Sequence, residues 1–296
     1  MRKKKKTKSR RVYEKDEFYQ ENHQRKKPKK RKFPRFLLLL ILLGILWIQF
    51  KNKRLSSVTL KNMASLQYEI TPEEERELAN LAQDDETIQK IYQAREKLPK
   101  DLVKEILLRP ESKGFILGFL EEDPSLAPKS QDFIEDGEIP YFIQWDRRWG
   151  YNSYAGGLLG TRGCAPTALA MMLQGMGEKV TPDQVAKFAE REGYVEDGFT
   201  SWRIMEALAQ KYNLQLVEIQ RDGPLEGFLE EGHFVILSMR PGHFTNTGHM
   251  IFLRGIDSQG KCIVYDPNSP SISQESWSFE ILKKEMKNGW SFSTIR

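Results

Sequence analysis

Apolar residues along this chain follow three rhythms. Residues 36–50, FLLLLILLGILWIQF, carry no charge; as a helix they span about 22 Å, short for an apolar bilayer core of about 30 Å but workable. After a linker over 51–70 the spacing becomes helical. Thr71-Pro72-Glu73-Glu74 makes a capping box, in which Thr71 and Glu74 satisfy each other's backbone N–H and Pro72 takes the first helical position, where a missing N–H costs nothing. Leu78, Leu81 and Ala82 continue that period, Ile88, Ile91 and Tyr92 begin a second set that stops before Pro99, and Leu102, Val103, Ile106 and Leu107 make a third ended by Pro110. Short amphipathic helices need a partner surface, so residues 71–121 are expected to form a small helical region docked on the domain that follows. Residues 122–138, rich in Pro, Asp, Ser and Glu, read as a connector.

From Ile139 the periods mix. An aromatic-rich segment, IPYFIQWDRRWG, leads through a glycine-containing loop to Ala165–Gln174, APTALAMMLQ, which is apolar on most sides as a core helix would be. Thr181-Pro182-Asp183-Gln184 is a second capping box, opening a helix that runs to Gly193, and another helix is predicted from about Ser201 to Tyr212. Strand-like runs then dominate at 214–219, 234–239, 249–256 and 262–266, with a short helix near 225–231 and a turn, Asp257-Ser258-Gln259-Gly260, joining the last two runs as a hairpin. Helices first and antiparallel strands afterwards predict an α+β domain over 139–296.

Charge changes the picture at the amino end. Residues 1–35 hold 17 Lys/Arg against 4 Asp/Glu, a formal +13, while the rest of the chain is a formal −8. A basic run that ends just before an apolar span meets anionic lipid head groups and keeps its own side cytoplasmic, so residues 1–35 are expected to be a cytoplasmic tail rather than a nucleic-acid arm, and 36–50 a transmembrane signal anchor. Lys51, Lys53 and Arg54 follow without a small-x-small cleavage site, which favours an uncleaved anchor over a signal peptide. The domain over 139–296 is then extracellular. No P-loop GxxxxGK[ST] and no second long apolar run occurs, against an ATPase or a multi-span transporter.

Two cysteines are too few for a disulfide framework. Cys164, in Thr161-Arg162-Gly163-Cys164-Ala165-Pro166-Thr167, is placed where a glycine-containing loop turns into the apolar helix. A thiol there faces unpaired backbone N–H groups and the positive end of the helix dipole, which favour thiolate; the alternative is a small buried hydrophobe. Of four histidines, His23 lies in the tail, His233 at a strand entrance and His243 in a turn-like Arg240-Pro241-Gly242-His243-Phe244, whereas His249 opens the apolar strand MIFLRGI. A two-residue loop at Ser258-Gln259 pairs Ile251 with Asp266, which sets His249 diagonal to Asp266 on one face, with Cβ atoms about 7 Å apart. Asp266 can therefore orient the imidazole and stabilise imidazolium; Asn268 and a turn-forming role in Asp266-Pro267-Asn268 are its rivals. Gln144 offers an amide for an oxyanion, or else is solvated or caps a turn. Cys262 is a packed thiol, or a disulfide partner for Cys164.

The blocks YFIQWDRRWGYNSY, TRGCAPTALAMML, SMRPGHFTNTGHMIFLRGI, VYDPNS and WSF, in that order, resemble the papain-fold cysteine peptidases similar to the bacteriocin-processing, double-glycine type, in their stand-alone bacterial form. The resemblance covers about Ile139 to the end. It implies a papain-like arrangement of a Cys-bearing helix on an antiparallel sheet, with Cys164 as nucleophile, His249 as base, Asp266 as orienting carboxylate and Gln144 as oxyanion-hole amide. It implies no cofactor or metal, and a peptide or protein as substrate. The namesake peptidases are fused to a peptide-exporting ATPase and act in the cytoplasm, so leader-peptide maturation is not carried over. The expectation is a membrane-anchored extracellular cysteine peptidase working through a thioester; the alternatives are a cell-wall peptide amidase or transpeptidase using the same triad, or a non-catalytic binding module of the same fold.

Overall fold

A computed structural model describes residues 70–131, 138–221 and 223–295. The basic tail, the apolar span and nearly all of the linker lie outside these residues. Among the described residues no helix is long and apolar enough to cross a membrane.

Helix α1, Pro72–Leu81, starts on the capping box anticipated from the sequence: Glu74 N donates to Thr71 Oγ1 at 3.2 Å and Thr71 N to Glu74 Oε2 at 3.0 Å. Helix α2, Glu86–Gln93, is capped by Asp85, and α3, Lys100–Leu108, begins after Pro99 and ends on Arg109 before Pro110. Helix α4, Lys113–Leu120, was not anticipated, because Gly114 and Gly118 interrupt its apolar run. Both glycines serve close approach. A Cβ on Gly114 would stand 2.6 Å from the carbonyl oxygen of Leu126, and one on Gly118 would collide with the Tyr151 hydroxyl. The helices close over Leu78, Ile91, Leu102, Ile106, Phe115 and Ile116, and Ile143, Trp145 and Leu158 from the following segment complete the same cluster. One core thus joins the helical region to the start of the α+β part.

Helix α5, Cys164–Gly175, is buried from Ala165 to Leu173, and α6, Pro182–Arg191, opens on the second capping box. Helix α7, Ile204–Lys211, is shorter than the run anticipated from Ser201. A six-stranded sheet follows, made of β1 (Leu214–Ile219), β2 (Phe234–Met239), β3 (His249–Ile256), β4 (Cys262–Tyr265), β5 (Ser276–Trp277) and β6 (Met286–Thr294). Its order is β1-β6-β2-β3-β4-β5 and every pair is antiparallel. Alternation along the strands sorts side chains to two faces. Ile236, Phe252, Trp290 and Phe292 meet α5, whereas Val235, Leu237, Ile251 and Leu253 meet Leu225 and Leu229 of α8 (Leu225–Glu230) and Leu282 of α9 (Phe279–Glu285). Mixed helix and sheet, with the cysteine-bearing helix against an antiparallel sheet, is the architecture the sequence pattern implied.

Strand β6 is the main element the pattern missed. It lies between β1 and β2 although it comes last among the strands. Its sequence MKNGWSFST looks polar, yet Met286, Asn288, Trp290 and Phe292 alternate and are all buried. Glycine in the middle and serine at two positions hide that period.

Candidate active site

Cys164 is the first residue of α5 and is half-buried. Thr167 N donates to the carbonyl of Gly163 at 3.0 Å, so the helical hydrogen bonds begin at the residue before the thiol and its N–H groups face outward. Both cysteines are free. Cys262 is fully buried, and that burial pushes its thiol well above the ordinary range, so Cys164 is the more accessible of the two thiols.

The hairpin that carries the imidazole and the carboxylate departs from the simple count in two places that cancel. Its turn is one residue longer than anticipated: Ile256 pairs with Cys262, and Asp257 N donates to Lys261 O at 2.8 Å. A bulge between Leu253 and Gly255 takes up the extra residue, so Leu253 pairs with Val264 and Phe252 with Tyr265. The register near His249 is therefore the one derived from a two-residue loop. His249 Nε2 stands 2.8 Å from Asp266 Oδ1, with Asp266 fully buried and His249 nearly so. Nδ1 is the ring nitrogen left for the thiol. Burial alone would pull the imidazole down, but the charge of Asp266, its hydrogen bond and the neighbouring Cys164 outweigh it and raise His249 to about 10.

Asp266 is held from several sides. Its Oδ1 also accepts from Asn268 N at 2.7 Å, its own N donates to Ser273 Oγ at 2.8 Å, and its carbonyl accepts from Tyr141 Oη at 2.7 Å. Between the two rivals for the imidazole, Asp266 makes the contact and Asn268 braces Asp266. The Asn268 side chain turns the other way, its Nδ2 lying 3.4 Å from Glu105 Oε2 on α3. Glu105 is buried, and desolvation drives its carboxyl up to about 8 against the pull of Asn268, Arg109 and His249, with the Asp266 charge pushing the same way as burial. At neutral pH it is mostly the uncharged acid.

Gln144 is 2 % exposed. Its N donates to Pro267 O at 2.7 Å and its Nε2 to Gly160 O at 2.9 Å, which pins the segment between the Asp266 turn and the loop that leads into Cys164. Only one of the two amide hydrogens is committed to Gly160. Trp145 and Trp149 are packing residues whose Nε1 groups reach the carbonyls of Asn268, at 3.4 Å, and Ile143, at 2.8 Å. The remaining described histidines are engaged elsewhere, His233 Nδ1 with Ser291 Oγ at 2.8 Å and His243 Nδ1 with Glu285 Oε1 at 2.5 Å. Sequence reasoning singled out Cys164, His249, Asp266 and Gln144 but passed over Glu105. A carboxylate among Leu102, Val103 and Ile106, on a face that must be buried, was the available signal.

Comparison with known proteins bears on this arrangement. A family model described as Peptidase C39 like matches residues 137–294. No curated protein matches. Among solved structures, the peptidase domain of Streptococcus ComA, a bi-functional ABC transporter involved in a quorum sensing pathway, is similar at 17% identity and a TM-score of 0.36, covering 46% of this chain and 93% of that one. A Bacillus anthracis chain described as C39-like is similar at 15% identity and a TM-score of 0.38, covering 56% of this chain and 99% of that one. The matched stretch exceeds half of the sequence and contains Cys164, His249, Asp266 and Gln144: the protein belongs to the Peptidase C39-like family.

Proposed function

We propose that the chain is a membrane-anchored extracellular cysteine peptidase in which Cys164, His249 and Asp266 form a triad and Gln144 donates to the oxyanion. The observation that carries this reading is the 2.8 Å pair of His249 Nε2 and Asp266 Oδ1, with a half-buried thiol at a helix N-terminus on the other side of the ring. The imidazole keeps its proton well above neutral pH, and an imidazolium beside the thiol favours attack by the thiolate. Thiolate attack on a peptide carbonyl gives a tetrahedral oxyanion, for which the second hydrogen of Gln144 Nε2 and the N–H of Cys164 are the donors in this reading. Collapse expels the amine, which takes the proton from His249, and leaves a thioester. Water then attacks the thioester as His249 accepts a proton, and the carboxylic acid product leaves with Cys164 restored as thiolate. The anchor and the outward location rest on the apolar run at 36–50 and the basic residues before it.

Incubating the full chain in detergent with a peptide library, beside its Cys164→Ala variant, tests the activity. Cleavage that vanishes with the thiol supports the reading, and cleavage that survives in Cys164→Ala sinks it. Gln144→Ala is expected to lower kcat by about 100-fold with little change in KM, the size of losing one oxyanion donor. Equal kcat in this variant and in the wild type would remove Gln144 from the mechanism.

A further inference from the structure

One face of the helical region grips every loop that carries a member of the triad. Asp101 and Glu105 are one turn apart on α3, and Arg109 caps its end four residues further on. Asp101 Oδ2 receives Arg162 Nε at 2.8 Å and Nη2 at 2.6 Å, and Arg162 stands two residues before Cys164. The same guanidinium donates through Nη1 to Ala155 O at 2.6 Å, tying the Cys164 loop to the hairpin ahead of it. Glu105 meets Asn268, whose backbone N–H holds Asp266 Oδ1. Arg109 Nη2 donates to Phe244 O at 2.6 Å, in the loop that runs into His249. Glu111, just beyond, accepts from Ser269 Oγ at 2.7 Å, on the turn after Asp266.

We propose that α3 is a positioning element of the catalytic site, in which Asp101, Glu105 and Arg109 set the relative placement of Cys164, Asp266 and His249, with Glu105 acting as an uncharged carboxyl beneath the Asn268–Asp266 pair. The inference rests on the triad reading and deepens it. Three buried oxygens in this cluster, Glu105 Oε1, Asn268 Oδ1 and Asp266 Oδ2, and one buried donor, Arg109 Nε, have no hydrogen-bond partner. A protonated Glu105 adds a donor among these acceptors, and it does so without setting a second negative charge beside Asp266. An ionised Glu105 would compete with Asp266 for the imidazolium and blunt its orienting role. Each grip falls two to five residues from a triad member. A shift of about 1 Å at any of them is of the size that costs on the order of 100-fold in rate.

The test uses the full chain in detergent with a peptide that the wild type cleaves, and reads kcat, KM, the rate of iodoacetamide alkylation at Cys164 from pH 5 to 9, and the midpoint of thermal unfolding. Glu105→Ala is expected to lower kcat by about 10- to 100-fold with KM within about threefold, and to slow alkylation at pH 6. Glu105→Gln keeps an uncharged group with a donor and is expected to recover kcat to within about threefold. Asp101→Asn and Arg109→Ala alter partly exposed grips and keep the idea testable where Glu105→Ala does not fold; each is expected to lower kcat by about tenfold. A purely architectural α3 would lower the unfolding midpoint in these variants while leaving kcat per reactive Cys164 and the alkylation profile unchanged, and that result overturns the proposal. A wild-type Cys164 that alkylates at pH 6 no faster than a free thiol, with no cleavage, overturns the triad reading itself.

Discussion

Cys164→Ala is expected to lower kcat/KM for peptide cleavage by on the order of 10⁴-fold or more, the scale at which a nucleophile contributes to covalent catalysis. The effect falls on one residue because no second thiol can stand in. Cys262 is fully buried on β4, with its ionisation suppressed by desolvation. Alanine suits the first turn of a buried helix, so the unfolding midpoint should stay within about 2 °C of the wild type. Cys164→Ser is expected to be nearly as inactive, since an alcohol does not share the thiol's capacity to ionise beside an imidazolium. Substrate turnover by Cys164→Ala within tenfold of the wild type would remove the thioester from the mechanism.

Asp266 is the second place where a single change should reach deep. Asp266→Ala leaves imidazolium buried without a counter-charge and is expected to cost about 10³-fold in kcat/KM. Asp266→Asn should be milder, about tenfold, because an amide oxygen can still accept from His249 Nε2 and from the Asn268 N–H. The sharper readout is pH. His249 is raised to about 10 chiefly because the Asp266 charge and hydrogen bond overcome burial. A folded-state value above the unfolded one, near 6.5, means that the pair adds stability fully below that pH and loses it as pH rises towards about 10. The alkaline limb of kcat/KM follows the same group, since activity needs the protonated imidazole. Asp266→Asn should move that limb towards the ordinary imidazole range and flatten the loss of stability above pH 7. A limb that stays in place after the charge is removed would mean that some other group titrates there.

Local chemistry explains which parts of this picture were legible. The two capping boxes, at Thr71 and Thr181, fix helix starts through side-chain hydrogen bonds only three residues long, so a linear reading finds them. The His249–Asp266 pairing was legible through the period of a strand, and it survived because the longer turn and the bulge in the hairpin offset each other. Had either occurred alone, Asp266 would have faced the other side. What the pattern concealed depends on neighbours far along the chain. Glycines in α4 read as breakers until Leu126 and Tyr151 are seen to press against them. Glu105 reads as an ordinary helical acid until Asn268, 163 positions later, is found beside it.

Strand β6 sets the order in which this protein can become active. It lies inside the sheet, bonded to β1 on one side and to β2 on the other, yet it follows the other five strands in the sequence and is synthesised after them. Until its residues 286–294 are available, β1 has no neighbour in the sheet and β2 lacks one of its two. His249 is then carried by an unfinished layer while Cys164 has long been synthesised. Nascent chains arrested before Met286 are expected to alkylate at Cys164 no faster than an ordinary thiol, and release of the complete chain should restore the difference. A cysteine fully activated in arrested chains would show that the partial sheet suffices. Late closure of this kind would keep the site unassembled during synthesis without any separate inhibitor, at the cost of a slow, long-range folding step.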